Sequence, residues 1–293
     1  ALTYNELKND VKLSVYSGIV MAAANYHHGD VSLHDTLISM ARDYVGVNNI
    51  NLLVPEGGFG SRTGGSTAPF KKGGDAASAR YIFTRLHYLT KMIFPADDLI
   101  LLKHRIEDGK VIEPYYYVPI IPTILANGCI GIGTGYSTTV PSYNPIDIIE
   151  NVRLALTGQP LKEMLPWFRG YNGRIIDLGK GKYLTIGDYT VLNENTIRVR
   201  ELPVGAKGCK SFIGYKAFLK DLLDEDTDTK KSKGKKAADD ELKDDASDIP
   251  DELHDFKENV IKDFDILKQT NTDFVVDITF KDGILYRELA NNK

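Results

Sequence analysis

The chain has 293 residues, 42% of them hydrophobic, with 16 Tyr and 11 Phe; these are globular values with room for about two domains. No run of about 18 apolar residues occurs, so no membrane span is read from it, and two cysteines, Cys129 and Cys209, exclude a disulfide scaffold and fit a reducing compartment. The net charge of −4 hides a segregation: Asp221 to Glu258 holds 15 acidic and 7 basic residues, a local −8, so the remainder carries +4, too mild by itself to identify a nucleic-acid binder.

The chain opens Ala1-Leu2-Thr3, with neither an initiator Met nor a signal-peptide pattern, and the expectation is a processed chain or an excised fragment. Leu7, Val11, Val15, Ile19 and Ala22 or Ala23 recur at helical spacing and predict a helix over Tyr4–Ala24. Tyr26-His27-His28-Gly29-Asp30 breaks it. Ser32 reads as the N-cap of a second helix, with Asp35 in its first turn and Leu33, Leu37, Met40 and Ala41 on one face, ending near Tyr44. Such a pair is a helix-turn-helix candidate, although most such pairs only pack a core. The glycine-rich loop from Gly57 to Gly74 contains Arg62, Lys71 and Lys72 and suggests an anion held by close backbone approach; a plain surface loop is the commoner case.

Ile82, Leu86, Leu89 and Ile93 predict a further helix, ended by Pro95. Strands are expected over Leu99–Ile106 and Val111–Tyr117, hinged at Asp108-Gly109, a hairpin signal. Helix-turn-helix followed by a hairpin is the winged-helix pattern. Beyond Val118 come alternating glycines (Gly128, Gly131, Gly133, Gly135) and a helix at Pro145–Leu156. Strands follow at Gly173–Asp177, Tyr183–Tyr189, Thr196–Leu202 and Phe274–Phe280, with a helix at Ser211–Leu223. A charged low-complexity run, Thr227–Asp251, reads as solvated. The expected fold class is α/β, with a winged-helix domain over 1–117 and an α/β domain over 118–293 that carries the insert at 227–251.

Four segments in order carry a family resemblance: Tyr26-His27-His28-Gly29-Asp30; Gly58-Phe59-Gly60-Ser61-Arg62; Ala79-Arg80-Tyr81-Ile82-Phe83; and Pro119-Ile120-Ile121-Pro122 with Asn127-Gly128 and Gly131-Ile132-Gly133-Thr134-Gly135. They resemble the breakage-reunion region of type IIA DNA topoisomerases, the eukaryotic and viral branch rather than bacterial gyrase. Glu201-Leu202-Pro203-Val204-Gly205 and Phe274-Val275-Val276 also look like that branch. The resemblance covers most of the chain, most weakly over Asp221–Asp255. It implies that the second domain is the family's tower. It also implies an ATPase domain and an acidic, Mg²⁺-holding TOPRIM domain before residue 1, and a coiled-coil exit gate after residue 293. ATP and Mg²⁺ would then be held outside this chain, which holds no metal itself. The expected partners are double-stranded DNA and a second copy in a homodimer, with no membrane. The expected location is the nucleus for a cellular eukaryote, and the host cytoplasm or nucleus for a virus.

The resemblance gives each site residue a role. Tyr81 matches the nucleophile, which attacks a DNA phosphorus, releases a 3′-hydroxyl and leaves a 5′-phosphotyrosine ester. A free phenol ionises only near about pH 10, so the reaction needs a proton acceptor and positive charge. Arg80 matches the transition-state stabiliser, whose fork suits two phosphate oxygens. Neighbours at i and i+1 on a helix diverge, so the pair is expected in a loop or at a helix start. His27 and His28 match the family's histidine pair, as proton carrier or phosphate clamp. Lys12, Tyr26, Ser32 and Arg62 match backbone contacts, and Ile132 matches a wedge that unstacks a base step. Ser66-Thr67-Ala68-Pro69-Phe70 looks like an insertion, Lys71 or Lys72 stands in for a missing family lysine, and Ala79 replaces a common proline; together they point to a divergent source. Two other readings compete: a non-catalytic winged-helix module that grips and bends DNA, and an interaction protein with an acidic docking tail. The first predicts no covalent protein–DNA adduct, and the second leaves the Arg-Tyr and His-His motifs unexplained.

Overall fold

The computed structural model describes residues 9–64, 75–205, 211–223 and 260–285. Leu7, the loop residues Ser66–Phe70, Lys71 and Lys72, Cys209 and the charged run all lie outside the described residues.

The first elements are β1 (Val11–Lys12), α1 (Leu13–Ala24) and α2 (Asp30–Ala41). The first helix thus starts later than its periodicity suggests, because Val11 and Lys12 pair with Thr84 and Phe83 as a strand. The N-cap of α2 is Gly29, and Ser32 lies inside the helix. The helix stops at Ala41, where the Asn51 amide donates to the Ala41 and Arg42 carbonyls at 2.7 and 2.8 Å and Asn48 donates to Arg42 O at 3.0 Å. These side chains satisfy carbonyls that a further turn would otherwise have used.

Next come β2 (Leu53–Glu56), β3 (Phe83–Leu86) and α3 (Tyr88–Ile93). The single helix expected over Ile82–Ile93 is instead a strand followed by one and a half turns of helix. Ile82 and Thr84 are buried while Tyr81 and Phe83 are exposed, a period-two pattern, and β3 runs antiparallel between β1 and β2. The His87 side chain then caps α3, accepting from Leu89 N at 3.2 Å.

A 3-10 turn at Ala96–Ile100 precedes the hairpin of β4 (His104–Glu107) and β5 (Lys110–Pro114). The first strand is therefore shorter than expected. The turn itself is as read: Asp108 and Gly109 both have positive φ, 50° and 74°, as a tight primed turn requires. Within the hairpin, His104 Nδ1 lies 2.8 Å from Ile112 O and Nε2 lies 3.2 Å from Leu99 O.

Then come α4 (Thr123–Asn127), a hairpin of β6 (Cys129–Gly133) and β7 (Tyr136–Val140), α5 (Pro145–Leu156), and a hairpin of β8 (Arg174–Gly179) and β9 (Lys182–Ile186). The ends of α5 follow its sequence. Pro145 opens it, the Asn144 side chain accepts from Ile146 N at 3.0 Å, and Arg153 sits in its last turn. The last elements are β10 (Asp188–Val191), β11 (Thr196–Glu201), α6 (Phe212–Leu223), β12 (Ile261–Gln269) and β13 (Phe274–Phe280). The four strands form one antiparallel sheet in the order β10-β11-β13-β12. Helix and strand are mixed as expected, but every described ladder is antiparallel, so the arrangement lacks the parallel crossovers of an α/β sheet.

Three apolar clusters hold these elements. The first packs Leu13 and Tyr16 against Leu37, Ile38, Phe59, Ala79 and Ile82. The second packs Phe212 and Leu219 of α6 on Val199, Phe274, Val276 and Ile278. The third joins Ile50 and Ile93 to Ile121, Ala126 and Ile148. Asn49 sews this last region together. Its buried amide nitrogen reaches the carbonyls of Ala126, Tyr143 and Trp167 at 2.9, 3.2 and 3.0 Å, and its oxygen accepts from Arg169 N at 2.8 Å. With two N–H groups and three carbonyls, one donor is shared.

Arg62 does not meet the expectation of a DNA contact. Its side chain is 3% exposed, 2.5 Å from Glu201 Oε1 and 2.6 Å from Leu202 O, with the guanidinium 5.4 Å over the Phe212 ring. The backbone here is also engaged: Phe212 N and Ile213 N, at the start of α6, donate to the carbonyls of Arg62 and Thr63, both at 3.0 Å. A fork committed to a buried carboxylate and a carbonyl has no geometry left for a phosphate.

Removing one partner of a buried ion pair strands the other charge, so Arg62→Ala should cost about 3–5 kcal/mol in denaturant unfolding. A variant of unchanged stability that binds DNA more weakly would return Arg62 to the surface. A pH dependence also follows. Neutral imidazole has one N–H, so only the protonated ring serves both carbonyls, and the two backbone bonds raise the His104 pKa above its ordinary value of 6.5. The stabilisation is full below that unfolded value and is lost as pH rises through the higher folded one. Hydrogen exchange, corrected for its intrinsic pH dependence, should show the β4–β5 amides less protected in mild alkali than at pH about 6. His104→Phe should remove that difference; pH-independent protection in the parent protein would contradict the assignment.

Candidate functional site

The site is built on one helix end. The first N–H groups of α1 lack intrahelical partners, and its N-cap, Lys12, makes no side-chain cap. Two carbonyls from the Ala79–Ile82 turn take that role: Leu13 N donates to Ile82 O at 2.9 Å and Ser14 N to Ala79 O at 3.2 Å. Ala79 and Ile82 are themselves buried, 6% and 1% exposed. Gly57, at φ 111°, lets Ile82 sink in, since a Cβ there would lie 3.1 Å from Ile82 Cγ2. The two residues between these anchors therefore point outward. Tyr81 is 67% exposed, Arg80 is exposed too, and Tyr81 N closes the turn onto Ser78 O at 2.9 Å. The Arg80 guanidinium lies 4.9 Å over the Tyr81 ring, so a cation already accompanies the phenol. The pair sits in a turn, one of the two settings expected for it. Exposed Lys12 is directly opposite Phe83, two residues beyond Tyr81, and adds a second cation at this edge.

The histidines sit elsewhere. Asn25, in the left-handed conformation at φ 48°, ends α1, and Tyr26, His27 and His28 follow. The twelve residues of α1 rise about 18 Å, so these groups lie at the far end of the helix from Tyr81. His27 Nε2 is 3.1 Å from Glu107 Oε1 in the β4–β5 hairpin and 3.3 Å from Asn25 Nδ2. The His28 ring meets Tyr26 edge-on at 5.3 Å, and Tyr26 packs on the first core cluster. Ser32 is exposed on the first turn of α2. The sequence reading did not single out Glu107. Eighty residues separate it from His27, and no local signal marks such a contact.

Ile132 is placed differently again. It lies in β6 opposite Ser137 and is 73% exposed, so it is not a buried strand isoleucine. Gly135, at φ 83°, makes the two-residue turn beyond it.

This arrangement groups Tyr81, Arg80 and Lys12 at one end of α1, and Tyr26, His27, His28 and Ser32 at the other. Comparison with known proteins adds to it. The family model for the A-type chain of DNA gyrase/topoisomerase IV matches residues 1–278. DNA topoisomerase 2 of Arabidopsis thaliana is 47% identical over 219 residues, 73% of this chain and 14% of that protein. DNA topoisomerase 2 of Acanthamoeba polyphaga mimivirus is 46% identical over 219 residues, 75% of this chain and 16% of that one. The crystal structure of the Plasmodium falciparum topoisomerase II DNA-binding, cleavage and re-ligation domain matches with a TM-score of 0.77 and 37% identity, over 98% of this chain and 33% of that one. The chain thus spans about one seventh of the curated relatives' length.

Proposed function

Because the chain belongs to the family of DNA gyrase/topoisomerase IV A-type chains and its relatives are eukaryotic and viral topoisomerases 2, we propose that it is the DNA-gate segment of an ATP-dependent type II DNA topoisomerase. Residues 1–117 are then a winged-helix domain and 118–293 the tower. The segment acts on double-stranded DNA within a homodimer, in the nucleus of a eukaryote or in the host cell of a virus. The observation that carries this reading is the Ala79–Ile82 turn, which offers a phenol and a guanidinium side by side from a rigid helix end.

In this reading the Tyr81 oxygen attacks a backbone phosphorus in line with the 3′ oxygen. The O–P bond forms, the P–O3′ bond breaks, and the phenol proton leaves while the 3′ oxygen gains one. The ester preserves the bond energy, so the reverse attack reseals the strand. Arg80 holds the phosphoryl oxygens where charge develops, with Lys12 beside it. The distance along α1 favours His27 and His28 as a clamp on phosphates a few nucleotides away rather than as the acceptor of the Tyr81 proton, with Tyr26 and Ser32 at the same station. Glu107 orients His27. Ile132 enters the duplex as a wedge. Mg²⁺ and ATP belong to other parts of the enzyme. Among the described residues no three His, Cys, Asp or Glu side chains gather as a metal site.

The test uses the full-length enzyme, an end-labelled duplex and Mg²⁺, with denaturing gels to reveal protein-linked DNA. The parent should form an adduct and Tyr81→Phe none, while Arg80→Ala should lower its rate by about 100-fold or more. Equal adducts in the parent and Tyr81→Phe would move the chemistry to another residue. Intact binding with no adduct in any variant would favour a DNA-gripping module without catalysis.

A further inference from the structure

The β6–β7 hairpin holds a feature that its exposed isoleucine does not account for. Gly133 stands directly opposite Tyr136 across the tip. A Cβ built on Gly133 would lie 2.7 Å from Tyr136 Cζ and 3.0 Å from both Cε atoms. The phenol ring therefore lies flat across the glycine, in space that any other residue would fill. Its outer face is open, and Tyr136 is 73% exposed. Gly131, by contrast, has nothing within 4 Å of such a Cβ, so the close seat belongs to position 133.

The surroundings narrow what the ring meets. From Ile130 to Thr139 every residue except Gly133 is exposed, and a lone two-stranded hairpin is only marginally stable in water. From Pro114 to Ile146 the chain has no Asp, Glu, Lys, Arg or His. An uncharged tip does not suit the phosphate rails. It suits the sugars and base edges of a groove, with the Ser137, Thr138 and Thr139 hydroxyls as polar contacts. Ile132 and Tyr136 project from opposite faces of the ribbon, because paired residues share a face and neighbours alternate. A hairpin tip inserted into a groove presents both faces to the walls.

We infer that Tyr136 is a second DNA-contacting residue of this hairpin: its ring, seated on Gly133, packs against the sugar and base edge of the nucleotide beside the step that Ile132 opens. The inference rests on the wedge reading of Ile132 proposed above, and its occupant is duplex DNA in the bent state.

The test measures bending and affinity in the full-length enzyme, by energy transfer between dyes at the two ends of a short duplex. Ile132→Ala should abolish bending. Tyr136→Ala should bind about five- to tenfold more weakly, the lower range for loss of one aromatic stacking contact, and should bend a smaller fraction of the duplex. Tyr136→Phe should keep most of both. Gly133→Ala should unseat the ring and match Tyr136→Ala, and the double variant should be no worse than either single one. Tyr136 is outside all three cores, so thermal melts of its variants should overlay the parent. If Tyr136→Ala binds and bends like the parent while Ile132→Ala loses bending, the inference fails and the wedge stands. If neither variant changes bending, the wedge reading falls and takes the inference with it. If Tyr136→Ala alters self-association and leaves DNA binding intact, the ring is a protein contact and the inference is overturned.

Discussion

Two hydrogen bonds, from Leu13 N and Ser14 N to the carbonyls of Ile82 and Ala79, organise everything around Tyr81. A helix end without a capping side chain must find acceptors, and here they come from a turn almost seventy residues downstream. The bonds serve both parties: α1 gains its cap, and the turn gains a fixed position. On its other side the turn runs into β3, whose first residue pairs with both Lys12 and Glu56. The backbone alone therefore places Tyr81, whose side chain is exposed. The same device recurs at α6, whose first amides rest on Arg62 and Thr63. At α6 the helix also has a side-chain cap, Ser211 Oγ accepting from Gly214 N at 3.0 Å, so there the two backbone bonds fix the loop without replacing a missing cap.

Held this way, α1 works as a spacer. One end carries the phenol and its cations, the other a cluster of rings and hydroxyls, and the helix length keeps them apart. That length matches a ligand with charges repeated along a line, as in a nucleic-acid backbone, better than a compact small molecule. Two hairpins lie further along the chain. One brings Glu107 to His27, and the other carries an uncharged tip that differs in chemistry from the rest.

The legible parts of the sequence were those with a local cause. Asp108-Gly109 fixes its turn because both residues tolerate positive φ, and Pro145 with Asn144 starts α5 wherever that segment lies. Phe274–Phe280 alternates buried and part-buried residues as its spelling suggests. The errors came where partners outweighed local preference. Ile82, Leu86, Leu89 and Ile93 satisfy a helical count, yet β1 and β2 draw the first half into a sheet. The second region reads as an α/β domain from its helices and strands, but spelling alone does not give strand direction, and the described strands pair antiparallel. Arg62 sits in a glycine-rich loop with lysines and looked like an anion contact; only the fold brings Glu201 to it across 139 residues. The motif marks Tyr81 and Arg80, while the reason they face outward lies in carbonyls that no side-chain pattern records.

Asn49 bears on the order of events at the ribosome. Its amide is satisfied only when the carbonyls of Ala126, Tyr143 and Trp167 are all in place, the last of them 118 residues further on. At a synthesis rate of about 5–20 residues per second, that interval lasts roughly 6–24 seconds. The Asn49 side chain must stay hydrated throughout, and Ile50 beside it must wait for Ile121, Ala126 and Ile148 to complete the third cluster. The segment around Asn49 is made early and locked late, so the emerging chain holds this cluster open to solvent until the polypeptide past Trp167 has left the exit tunnel.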